Sequence, residues 1–228
     1  WDKTQFILSD FYDRMMHYAL FFEGALDIAV LRKAIYGVIG KVPALHSSYV
    51  PNIIRPYWRI NANYGEEEMA EFEEVDDLEP AVFDFFKGKI SYKENLQFRF
   101  KFFVSGNCCA LALLVNHQCF DGSDMKYVML KIAESYNAIL KTGSAEQVTI
   151  KEGTRSLKQL YVNMDSESAK EAKKLYRNVS RTGSKPAFHF ADDEEGETRF
   201  VLKRMEPELF LGIKKKGKES GATVNDLL

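Results

Sequence analysis

The stretch CCALALLVNHQCFDG, residues 108–122, decides the fold. Its first eight residues are apolar without alternation. That is the composition of a strand buried on both faces, so a sheet with helices above and below it is expected. Residues 97–104 (QFRFKFFV) read as a second strand, and Ser105-Gly106-Asn107 between the two runs carries a turn signal, which predicts an antiparallel hairpin. Beyond Gly122, Met125, Val128, Met129, Ile132, Ala133, Tyr136 and Leu140 form one stripe at helical spacing. Gly143 stands where a C-terminal cap belongs, so a helix is expected over 124–141.

Upstream, residues 17–23 (HYALFFE) predict a strand that ends at Gly24. Leu26, Asp27 and Leu31 fit a hydrophobic staple around an N-cap. From Asp27 a helix is expected, with Ile28, Leu31, Ile35, Val38 and Val42 on its apolar side until Pro43 stops it. Two short extended segments, 47–50 and 54–60, flank the Pro51-Asn52 turn signal. Residues 66–79 are densely acidic, with Phe72, Val75 and Leu78 at three-residue steps. They read as a solvated helix or loop with a thin apolar edge, an acidic binding surface being the alternative.

After Thr142 the chain turns polar and reads as a connector, with a helix near 170–179. A strand is expected over 198–204, and Pro207 then opens a helix that Gly221 closes. Thr223 and Asp226 resemble the capping box of one more helix. Lys214, Lys215, Lys216 and Lys218 read as a solvated helix end or as a surface for an acidic partner.

Composition narrows the function. The 228 residues are 46% hydrophobic and 13% aromatic, enough for a sizeable core and too apolar for a disordered chain. A net charge of -2 gives no electrostatic reason to bind nucleic acid or an anionic membrane. Apolar runs fall short of the ~20 residues a membrane helix needs, and the N-terminus has no basic region followed by an apolar one. Three cysteines without CxxC spacing indicate neither a disulfide framework nor structural zinc, so a reducing cytoplasm is expected. Trp1 in place of an initiating Met reads as a fragment.

The chemistry concentrates at the strand exit. With 4 His and 14 Gly in the chain, a chance His-x-x-x-Asp-Gly match is expected only about 0.014 times. His117 is the candidate general base, since an imidazole with a pKa of about 6.5 accepts a proton near neutrality. Asp121 has a structural part in this reading, holding the loop through an Arg or backbone amides. Gly122 would allow a backbone conformation or a close approach that a Cβ would obstruct. Cys119 lacks a neighbouring base or cation to lower its thiol pKa and reads as a small core residue. The i, i+2, i+4 spacing of His117, Cys119 and Asp121 matches no usual zinc pattern, so no metal is expected.

At these residues the chain resembles the chloramphenicol acetyltransferase-like superfamily. It includes nonribosomal peptide condensation domains, plant BAHD acyltransferases, polyketide-associated acyltransferases and wax ester synthases, which share His-x-x-x-Asp-Gly. Leu31-Arg32-Lys33-Ala34 followed by Val42-Pro43-Ala44-Leu45 resembles the stretch in which a helix leads into "hPxLR". Residues 221–226 (GATVND) look like the opening of the second half-domain. Two positions depart from the condensation-domain form: Asn116 replaces its first His, and His46 stands where an Arg usually follows Leu45. That Arg commonly pairs with the motif Asp, which leaves His46, Arg55 and Arg59 as candidate partners of Asp121.

The resemblance implies an α/β fold with a mixed, largely antiparallel sheet flanked by helices. Residues 1–228 would be the N-terminal half of such a domain, with 142–190 as connector and helix and 221–228 beginning a second half. It also implies acyl transfer from coenzyme A or a carrier-protein phosphopantetheine thioester to an alcohol or amine, with His117 as base in a tunnel between halves. The thioester would be a substrate and no tightly bound cofactor is implied. An acyl or peptidyl carrier protein is an implied partner. The alternative is a non-catalytic condensation-like module that binds a carrier protein or a neighbouring domain.

Overall fold

The computed structural model describes residues 15–52, 56–151, 162–179 and 199–227. They fall into two compact units divided between Asp193 and Glu194.

The first unit is built on a four-stranded sheet. Its strands are β1 (Met15–Glu23), β4 (Glu71–Glu74), β5 (Phe98–Ser105) and β6 (Cys108–Asn116), in the order β1-β6-β5-β4. β6 pairs antiparallel with both β1 and β5, while β4 joins β5 in parallel, so the sheet is mixed and largely antiparallel. The hairpin loop is the two residues Gly106-Asn107, because Ser105 already pairs with Cys108. A separate ladder joins β2 (Ser47–Val50) to β3 (Tyr57–Ile60). Part of the extended segment expected over 54–60, Ile54 and Arg55, lies outside the described residues.

The apolar run of β6 does what its composition requires. One face carries Cys109, Leu111, Leu113 and Val115 into the main core beside Phe98, Phe100 and Phe102 of β5. Helices α1 (Ile28–Ile39) and α3 (Gly122–Thr142) pack on that core through Leu31, Ile35, Val128 and Ile132. The other face holds Ala110, Ala112 and Leu114 against α2 (Leu78–Phe85) and the residues that follow it. The sheet is thus covered on both sides, the condition under which a strand needs no polar alternation.

The helix ends follow local chemistry. The Asp27 side chain accepts from the amides of Ala29 and Val30, as an N-cap should. α1 ends at Ile39, three residues before Val42, and Pro43 instead opens a short 3₁₀ turn, Pro43–His46. α3 ends at Gly143, whose φ of 79° is the left-handed conformation that favours glycine at this position. On α3 the buried stripe includes Ser135 and leaves Ala133 exposed.

The acidic segment is more ordered than its composition implies. Glu66–Met69 is a 3₁₀ turn, and Glu71–Glu74 is an edge strand. Phe72 rests on Phe102, and Lys101 of β5 binds the carboxylates of Glu71 and Glu73 at 3.4 and 2.6 Å. α4 (Ser166–Val179) completes the first unit.

The second unit holds α5 (Pro207–Glu219) and α6 (Val224–Leu227). Thr223 and Asp226 make the expected cap, the amide and Oγ1 donating to Asp226 Oδ2 at 2.7 and 2.8 Å. Of the strand expected over 198–204, Thr198 lies outside the described residues, and 199–204 form no ladder with other described residues. No helix among the described residues is long and apolar enough to cross a membrane.

Candidate functional site

β6 delivers the site. Its last residue, Asn116, is buried and pairs with Met15 at the start of β1, and the chain then turns through His117, Gln118 and Cys119 into α3. His117 is half-buried, and its Nδ1 lies 2.7 Å from the carbonyl oxygen of Phe120. A carbonyl only accepts, so Nδ1 carries the hydrogen and the neutral ring has its lone pair on Nε2. The contact spans three residues, so the turn itself sets the tautomer.

Cys119 faces inward. It is 3% exposed, and both its amide and its Sγ donate to the carbonyl of Asn116 at 3.1 Å. That placement suits a small core residue locking a turn. Among the described residues, no three His, Cys, Asp or Glu side chains gather in a metal-binding arrangement.

Asp121 is the N-cap of α3. Its Oδ1 accepts from the amides of Ser123 and Asp124, and the Asp124 carboxylate accepts the Asp121 amide in return. The Asp121 side chain thus finds its partners in backbone amides of the first turn of α3. Neither His46 nor Arg59 pairs with Asp121: the His46 Nδ1 donates to the carbonyl of Asn61 at 2.8 Å, and Arg59 is exposed on β3. Arg55 lies outside the described residues. His46 is itself buried against the Tyr64 ring, with no hydrogen-bond partner at Nε2 among the described residues.

Gly122 shows no special backbone conformation. It has no positive φ, and a Cβ there would meet nothing within 4 Å among the described residues. Nothing among the described residues demands glycine at the first residue of α3.

Two residues at this site were not singled out as partners from the sequence, Gln97 and Asn116. The Asn116 Nδ2 donates to Gln97 Oε1 at 2.8 Å, and Asn116 Oδ1 accepts the amide of Gln118 at 2.9 Å. An Asn directly before a strand-exit His has the side chain to close such a turn, so half of this was available as local chemistry. The Gln97 half was not, because it acts across nineteen positions.

Neither a protein-family model nor a curated protein matches the chain. Solved structures do. The first condensation domain of the CDA synthetase superposes with a TM-score of 0.68 at 14% identity, over 98% of this chain and 55% of that one. The epimerization domain from the third module of tyrocidine synthetase B gives 0.60 at 16% identity, over 81% and 44%. SgcC5 from Streptomyces globisporus, solved with a naphthyl ethanediol and sucrose, gives 0.58 at 13% identity, over 92% and 50%. The chain has the condensation-domain fold, and it spans about half the length of the structures it matches.

Proposed function

We propose that this chain supplies the histidine-bearing half of a condensation-type acyltransferase. The supporting observation is the 2.7 Å contact between His117 Nδ1 and the Phe120 carbonyl, which leaves the basic lone pair on Nε2 of a half-buried ring at the end of the central strand. In this reading Nε2 takes the proton of an alcohol or amine as its oxygen or nitrogen bonds to a thioester carbonyl carbon. The carbon–sulfur bond then breaks, and the imidazolium returns the proton to the departing thiolate of coenzyme A or of a carrier-bound phosphopantetheine. No acyl-enzyme forms. The protonated ring also faces the negative charge that develops on the carbonyl oxygen, an interaction stronger in the transition state than in the ground state.

The test is His117→Ala in the full-length protein, assayed for transfer from an acyl thioester to alcohols and amines. The expected loss is about 10²–10⁴-fold, the usual contribution of a general base, with an unchanged circular dichroism spectrum. An undiminished rate rejects the base assignment.

A further inference from the structure

We infer that Gln97 and Asn116 form a buried amide relay that positions the His117 ring. This rests on His117 being the base. Gln97 is fully buried, and Asn116 and Gln118 are 4% and 3% exposed. Gln97 Nε2 faces two carbonyl oxygens, Ser91 at 3.3 Å and Glu94 at 2.7 Å. Two acceptors require the NH₂ group there, so Oε1 points to Asn116, whose Nδ2 donates to it. That leaves Asn116 Oδ1 for the Gln118 amide. Rotating either amide by half a turn sets oxygen against oxygen and hydrogen against hydrogen. The relay therefore has one self-consistent direction.

The backbone reinforces it. Asn116 N donates to Gln97 O at 3.0 Å, and Gln97 N donates to Leu45 O at 2.8 Å. His117 is the residue enclosed when Asn116 Oδ1 reaches the amide two positions on, so its backbone is held in an Asx turn. Cys119 closes the next step by donating to Asn116 O. With the turn held at both points, the imidazole meets the Phe120 carbonyl. A pair of apolar side chains would remove the Gln97–Asn116 bond at little cost in itself, since both of its partners vanish together, but would also take away the acceptor of the Gln118 amide and the donor to the Glu94 carbonyl. Direction is what the amides add.

That contrast supplies the experiment, done in the full-length protein. Gln97→Met orphans the Asn116 Nδ2 and lowers the unfolding midpoint. The double variant Gln97→Met with Asn116→Leu removes that orphaned donor but also takes the acceptor from the Gln118 amide, so its midpoint stays below wild type. Its kcat stays down by about 10²-fold, the scale of a misplaced reacting group, while KM holds within about twofold. Nitrogen NMR of the His117 ring, assigned by signal loss in His117→Gln, loses the Nδ1-protonated pattern in parallel. Should the double variant not fold, Asn116→Ser keeps an acceptor for Gln118 but cannot reach Gln97, and is read by the same spectrum. A wild-type kcat in a folded variant, or an unchanged ring spectrum, overturns the inference. If His117→Ala retains full activity the base assignment falls, and the ring spectrum alone decides whether the relay sets the tautomer.

Discussion

Asp121 and Asp124 cap each other. Asp121 Oδ1 accepts the Asp124 amide at 3.0 Å, and Asp124 Oδ2 accepts the Asp121 amide at 3.1 Å. The motif aspartate is thereby tied to the start of the 21-residue helix α3. Asp121→Ala removes the acceptor for two amides and is expected to cost about 1 kcal/mol in urea unfolding. Asp121→Asn keeps that acceptor and should lose only a few tenths through the helix dipole, about 0.3 kcal/mol. Transfer rate per folded molecule should change far less than in His117→Ala. A stable but inactive Asp121→Ala would assign this carboxylate to the chemistry instead.

How far the fold was legible depended on whether each choice was local. The apolar run of β6 has one solution, and Asp27 and Gly143 signal helix ends with their own atoms. Glu71–Glu74 was opaque because its charge pattern matches a solvated segment; what makes it a strand is its parallel ladder with β5, thirty residues on, which Lys101 supports. The stretch 199–204 failed in the opposite sense, since it alternates like a strand but has no ladder among the described residues. At the site, the motif pointed to His117 and Asp121. It gave no access to Gln97, whose role exists only once β5 and β6 lie side by side.

Lys101 makes the edge strand sensitive to alkali. Burial alone would lower its pKa, but the hydrogen bond and charge of Glu73, with Glu71 behind them, hold it above the ordinary 10.5. The folded amine keeps its proton more tightly than the unfolded one. The stabilisation is therefore complete below 10.5 and is lost as pH rises through the folded value. With Glu71 and Glu73 side chains 68% and 47% exposed, the pairs contribute only about 0.2–1 kcal/mol. Lys101→Met should lower the unfolding free energy from urea titration by that amount at pH 7, and the gap to wild type should close in strong alkali. A gap that persists there would mean that the stem's packing, not the charge, is what Lys101 contributes.

Cys119 offers a check on the absence of an acyl-enzyme. Its Sγ is buried and donates to the Asn116 carbonyl, and Cys119→Ser retains a donor at that position. This variant should keep transfer within about threefold while losing about 1 kcal/mol or less of stability. Mass spectrometry after incubation with acyl thioester should find no adduct on this thiol in the wild type. A Cys119-linked acyl group, together with an inactive serine variant, would replace the proposed direct transfer with a covalent route.

Two glycines separate what the fold requires from what a substrate requires. A Cβ at Gly88 would lie 3.1 Å from the Phe85 carbonyl, a backbone atom, and 3.2 Å from Cδ2 of the fully buried Leu114. Gly88→Ala should therefore destabilise by about 1–3 kcal/mol, the usual cost of overpacking. Gly122 meets nothing within 4 Å among the described residues and has no positive φ, so alanine there relieves a helix of glycine's backbone entropy. Gly122→Ala should raise stability by up to about 0.5 kcal/mol. If KM for the thioester nevertheless rises, the methyl has met a ligand in the space that these described residues leave open beside the start of α3. If stability and both kinetic constants match wild type, the motif glycine serves neither the fold nor close substrate approach.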